Sequence, residues 1–197
     1  MAEGQNAAEK PAKRVQMLRC RASTAILIPP VNFGLVEEGL YRSGQPTELN
    51  FPFLERLNLK TLCWLAPEEP SQRFLDFIDD QGIKLHHLGA LNAANAWDPI
   101  TEETVIQALE IIIDPACHPV MVMCNLGRHR TGTAIGCLRK LQRWNLASIF
   151  EEYRRFAGPK VRVLNEQFIE LWDCDLVSIP PPAAPIPPPR PEPLMEV

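Results

Sequence analysis

The sequence predicts an α/β fold, a parallel-type central sheet flanked by helices, and three observations lead there. Between residues 25 and 178, short runs rich in Val, Leu and Ile alternate with longer segments of helical periodicity. Strands separated in this way by helices pair as parallel neighbours in one sheet. The chain has 197 residues, 46% of them apolar, which is enough for one packed core with a tail at each end.

Val31 to Val36 and Leu40 to Arg42 read as two short strands around the turn Glu37-Glu38-Gly39. Thr47 to Leu57 reads as a helix, and Thr61 to Leu65 as a buried strand. Ser71 to Gln81 has Phe74, Leu75 and Ile78 on one helical face and Gly82 at its end. Ile83 to Leu88 is a strand. Thr101 to Ile113 is a helix with Glu102 and Glu103 in its first turn, where the dipole favours carboxylates. Val120 to Met123 is a short apolar strand behind Pro119, followed by helices over Arg130 to Trp144, Ala147 to Phe156 and Asn165 to Asp173. Ligands of such sheets bind at the carboxyl ends of the strands.

Outside the domain the composition changes. Residues 1–24 are polar, Ala-rich and charged, the composition of a disordered arm. Residues 179–197 carry nine of the 20 prolines, a density that forbids helix and favours polyproline II. Within this tail, Pro185-Ile186-Pro187-Pro188-Pro189-Arg190 fits the form bound by the aromatic grooves of SH3-type domains, although such strings arise easily in proline-rich sequence.

The formal net charge of -4 gives no global attraction to nucleic acid or to membrane. No stretch is long and apolar enough to span a bilayer, and Ala25 to Ile28 is too short for a signal-peptide core. The six cysteines form no C-x-x-C pair and have no paired His/Cys ligand spacing. That argues against a zinc site or a disulfide framework and for a reducing compartment, so a cytoplasmic location is expected.

The segment that carries chemistry is Cys124-Asn125-Leu126-Gly127-Arg128-His129-Arg130-Thr131-Gly132. A cysteine stands where a buried strand ends, and an arginine follows six positions later, where a helix begins. Five intervening residues suffice to wrap a loop whose backbone N–H groups converge on one tetrahedral anion. The helix N-terminus lies beneath that anion, and its field also stabilises a thiolate. Arg130 offers a planar fork for two phosphate oxygens, and Thr131 can give its hydroxyl to the Cys124 sulfur. Gly127 permits a loop conformation closed to other residues, and Gly132 lets the helix start pack closely. A nucleotide-binding loop fits poorly, because Thr133 stands where lysine is required. Sulfur transfer would have no use for Arg130 and Thr131.

Several blocks in order resemble the tyrosine and dual-specificity phosphatase superfamily, and more narrowly the plant-and-fungal atypical dual-specificity phosphatases, including fungal proteins linked to oxidant-induced cell-cycle arrest. They are Gly39 to Pro46 (GLYRSGQP), Leu65-Ala66-Pro67-Glu68, the Cys124 loop, Gly136 to Lys140, and Glu151 to Ala157. The resemblance runs from about Asn32 to Asp175. It implies the tyrosine/dual-specificity phosphatase fold and phosphate hydrolysis through a phosphocysteine, without metal or other cofactor, in the cytoplasm. The implied substrates are a phosphoprotein of the phosphotyrosine type or a phosphorylated small molecule such as an inositol pyrophosphate, and the implied partners include related family members. Cys124, Arg130 and the residues Asn125 to Thr131 correspond to nucleophile and phosphate loop. One departure is Met123, where the superfamily usually has a histidine that helps order the loop. This departure motivates a rival expectation, a catalytically weak phosphate-binding or scaffold subunit.

Hydrolysis of a monoester benefits from a general acid. Asp98, 26 residues before Cys124 in the loop after the strand ending near Leu88, is the candidate, and it is equally a good N-cap before Pro99. Glu68 and Glu69 are weaker candidates. Arg128, Lys160 and Arg162 are expected either as a basic rim or as an ordinary solvated face, and His129 either tunes the site or is a solvated polar residue. His86 and His87 are expected to be structural, and Tyr41, Arg42 and Ser43 to pack or to support the loop.

Overall fold

A computed structural model describes residues 26–92 and 99–178. The expected arm, the proline-rich tail with its SH3-type string, and Asp98 lie outside the described residues. Five strands, β1 (Gly34–Glu37), β2 (Leu40–Gly44), β3 (Thr61–Trp64), β4 (Lys84–His87) and β5 (Val120–Cys124), form one sheet in the order β1-β2-β5-β3-β4. β1 and β2 are an antiparallel hairpin, and every other pairing is parallel. β5 is therefore central, hydrogen-bonded on both sides. Val120, Met121, Val122 and Met123 are all fully buried, which is why that strand reads as an unbroken apolar run rather than an alternating one.

Among the described residues six α-helices flank the sheet: α1 (Phe51–Glu55), α2 (Gln72–Asp80), α3 (Glu102–Ile113), α4 (His129–Leu141), α5 (Leu146–Ala157) and α6 (Val163–Leu171). α4 leaves the end of β5, and α3, α5 and α6 pack against it. Phe51 of α1 stacks on Phe74 and Phe77 of α2, with the Phe51–Phe77 centroids 4.3 Å apart.

Several boundaries differ from expectation. The first strand begins at Gly34, not Val31, because the chain turns at Asn32 with φ +52° and Val31 O accepts from Gly44 N–H at 2.7 Å. The helix expected over Thr47 to Leu57 is a 3-10 turn, Glu48–Asn50, followed by the short α1. Asn50 is tied there by its side chain, which accepts from Thr47 N–H at 2.8 Å and donates to the Ile28 and Pro29 carbonyls, each at 3.1 Å. α4 stops at Leu141, before Trp144. Arg143 adopts φ +65°, and Trp144 N–H closes onto Arg139 O at 3.0 Å, a Schellman ending without glycine. The last helix is displaced toward the N-terminus, spanning Val163–Leu171 in place of Asn165 to Asp173. No helix among the described residues is long and apolar enough to cross a membrane.

Candidate active site

The carboxyl ends of β5 and β3 and the start of α4 enclose a cleft of about 150 Å³ lined by Glu68, Cys124, Asn125, Leu126, Arg128, His129, Arg130 and Arg162. Larger grooves exist elsewhere on the domain, one of about 550 Å³ beside Trp144, but this cleft has the Cys124 sulfur on its floor and the first residues of α4 in its wall. Six of the seven residues expected from Cys124 to Arg130 line it. Gly127 lies behind the loop rather than on its surface, and Thr131 donates its hydroxyl to Cys124 Sγ at 3.2 Å. Cys124 is 7% exposed.

The loop is shaped by what its carbonyls bind. Asn125 O accepts from Gln45 N–H at 3.0 Å, Leu126 O from Asn32 Nδ2 at 2.8 Å, and Gly127 O from Arg42 Nη2 at 3.1 Å. All three donors come from β2 or the segments flanking the hairpin, outside the cleft. In a trans peptide, C=O and the following N–H point in opposite directions, so tying the Asn125 and Gly127 carbonyls outward turns the Leu126 and Arg128 N–H groups toward the cleft, while Gly127 N–H closes onto Cys124 O at 3.3 Å. The first turn of α4 adds further donors, which have no intrahelical acceptor. Gly127 sits at φ +64°, and a Cβ there would lie 2.5 Å from Gly44 N and from Ser43 C. Gly132 is required for a different reason: a Cβ would meet the Tyr153 ring at 2.8 Å.

Tyr153, thus seated, anchors the basic rim. Its hydroxyl accepts from Arg162 N–H at 3.3 Å and from Asn165 Nδ2 at 3.1 Å. Arg162 lines the cleft with Arg128, so the rim expectation holds for these two residues. His129 braces the same segment through a 2.6 Å hydrogen bond between Nε2 and Lys160 O. Burial, with Arg162, Arg128 and Arg130 nearby, lowers its affinity for a proton, against the opposing pull of the Lys160 carbonyl. A histidine whose folded pKa is depressed takes up a proton more readily when unfolded, so its contribution to stability is present above the ordinary value of 6.5 and is lost as pH falls below it. The urea midpoint of the wild type is therefore expected to fall between about pH 7.5 and pH 5.5 by more than that of His129→Asn. Equal falls would show that this histidine is not the cause.

Sequence reasoning missed Asn32 and underrated Glu68. Asn125 Nδ2 donates to Glu68 Oε2 at 3.0 Å, placing a carboxylate on the cleft wall. The signal available was its position just beyond a parallel strand. The reading of Asp98 as helix cap is corrected: α3 is capped by Thr101, whose Oγ1 accepts from Thr104 N–H at 3.4 Å. Met123 is packed in the core at 0% exposure. His87 is structural, its Nε2 lying 3.0 Å from Ala66 O. Cys63 and Cys137 are core thiols, and burial pushes both up, Cys63 to about 12. Among the described residues no group of three or more His, Cys, Asp or Glu side chains is placed to hold a metal ion.

Comparison with known proteins agrees with this architecture. Residues 27–186 match the tyrosine phosphatase family. The chain is 68% identical over 153 residues to the Mycosarcoma maydis protein named "Putative tyrosine-protein phosphatase OCA1", covering 77% of this chain and 97% of that one. It is 67% identical over 151 residues to "Probable tyrosine-protein phosphatase DG1060" of Dictyostelium discoideum, covering 77% and 91%. Among solved structures, it superposes on the core catalytic domain of the PP-IP phosphatase Siw14 from S. cerevisiae, crystallised with citrate. That match has a TM-score of 0.71 and 48% identity over 76% of this chain and 90% of that one. With a family match across most of its length and relatives alike over nearly all of theirs, this chain belongs to the tyrosine phosphatase family and is a phosphatase.

Proposed function

We propose that Cys124 is the nucleophile and that the enzyme works through a phosphocysteine. The observation that carries this is the sulfur itself, at the floor of a cationic cleft, accepting from Thr131 at 3.2 Å. The thiolate attacks phosphorus in line, a P–S bond forms, and the bond from phosphorus to the leaving oxygen breaks. Arg130 and the inward N–H groups stabilise charge on the equatorial oxygens. Asp98 gives a proton to the leaving oxygen and then takes one from the water that attacks phosphorus. The sulfur departs as an anion steadied by the Thr131 hydroxyl.

The substrates proposed are phosphotyrosine-type esters and inositol pyrophosphates. The likeness to a PP-IP phosphatase supports the second class, as do Arg128 and Arg162, cations beyond the one that grips the reacting phosphate. A phosphoanhydride releases an already stable phosphate and needs its acid less than an aryl or alkyl ester does. Phosphate release from a diphosphoinositol and from a phosphotyrosine peptide tests the reading. Turnover of the anhydride is expected to survive Asp98→Asn better than turnover of the ester. No release from either substrate, with phosphate still bound, would favour the non-catalytic scaffold instead. A cytoplasmic location, association with related family members, and an SH3-type reader for Pro185 to Arg190 remain proposals alongside this one.

A further inference from the structure

Arg42 is 1% exposed, yet it carries a charge that its neighbours only partly answer. Nη2 donates to Gly127 O at 3.1 Å, and the guanidinium lies 3.7 Å above the Phe156 ring. Its acidic neighbour is Glu152, with Oε1 3.9 Å from Nη1, while the other oxygen of that carboxylate is taken by Arg139 Nε at 2.9 Å. Nε and Nη1 of Arg42 are buried without a hydrogen-bond partner. Burial draws the guanidinium down to about 10, against Glu152 and Cys124, both of which favour the charged form, so it remains a cation at neutral pH. A buried cation left short of partners is costly to keep, and this one sits directly behind the phosphate loop.

The Gly127–Arg128 peptide explains what that cation does. Its carbonyl faces Arg42, so its N–H, which belongs to Arg128, points the other way, toward the cleft. No main-chain carbonyl among the described residues accepts from Arg128 N–H. Met123, beside the nucleophile and fully buried, has no side-chain donor with which to order the loop. We infer that Arg42 is the positioning residue of the loop: it holds the Gly127–Arg128 peptide with its N–H aimed at the bound phosphoryl group, and supplies a second positive charge from beneath. It touches no substrate and acts through that peptide. The inference rests on the reading of the Cys124 loop as the phosphate site.

The test measures inorganic phosphate binding by calorimetry on the full chain. Arg42→Met is expected to weaken binding on the order of 10- to 100-fold, the worth of one hydrogen bond to a charged group, and to lower kcat/KM at least as much. Arg42→Lys, which restores the charge and one donor, recovers part of both. Leu109→Ala, a core truncation in α3, loses stability but keeps its phosphate affinity, which separates positioning from mere packing. Unchanged phosphate affinity in Arg42→Met overturns the inference. If that variant does not fold, the wild type decides by amide NMR during a phosphate titration, where the Arg128 N–H is expected to shift strongly. Movement of the Leu126 and Arg130 amides with Arg128 unmoved would sink the role of Arg42 alone. No movement anywhere in the loop would sink the phosphate site itself.

Discussion

Replacing Cys124 by serine is expected to stop phosphate release while leaving phosphate binding in place. The two side chains differ by one atom, and the site at 7% exposure accepts either without a cavity. The donors that form the cleft, Arg130 and the main-chain N–H groups, are untouched. What is lost is the nucleophile, because a serine hydroxyl stays protonated at neutral pH and is then a weak nucleophile. Removing the nucleophile of a hydrolase that forms a covalent intermediate costs a factor on the order of 10⁴ to 10⁶ in kcat. Phosphate release at saturating substrate measures it, with calorimetric titration of the same variant as control. Turnover within tenfold of wild type would show that another group attacks phosphorus.

Gly127→Ala is expected to damage both stability and catalysis, for two separable reasons. At φ +64° an L-residue is strained by about 1–2 kcal/mol. The new methyl would also lie 2.5 Å from Gly44 N and Ser43 C and 2.7 Å from Ser43 O. These are backbone atoms of β2, in register with Met123 and Cys124 of β5, so no side chain can swing away to make room. The loop must lift off β2 or the β2–β5 ladder must open. The combined loss of stability should be about 2–5 kcal/mol, measured by urea unfolding. Displacement of the loop donors by even 1 Å should lower kcat/KM on the order of 10²-fold. Gly82→Ala is the control, since Gly82 shares φ +64° but a Cβ there meets nothing within 4 Å. It should show the strain alone, with activity retained. Equal effects from the two variants would mean that the contact with β2 is unimportant.

The alternation of strand and helix and the Cys124 loop were legible in the sequence because both are local. A strand shows in a few consecutive apolar residues, and a phosphate loop in nine residues of fixed order. Features that depend on distant segments were not legible. Val31 and Asn32 have strand-like character, but the turn there is set by Gly44 and Leu126, far along the chain. The end of α4 at Arg143 was hidden because the left-handed position falls on an arginine rather than a glycine. Arg42, in a strand of apolar and small residues, could be singled out as loop support only in general terms. Its burial beneath Gly127 and beside Phe156 brings three segments together. Asp98 illustrates the converse: an Asp-Pro pair has the chemistry of a cap, but Thr101, three residues on, is the residue that serves.

The placement of β5 between β2 and β3 also has a consequence for durability. An edge strand can peel away while the rest of a sheet stays intact, but a middle one cannot. The sulfur is carried at the tip of the strand that lets go last, so exposing its root to solvent requires cooperative opening of the whole domain rather than a local fray.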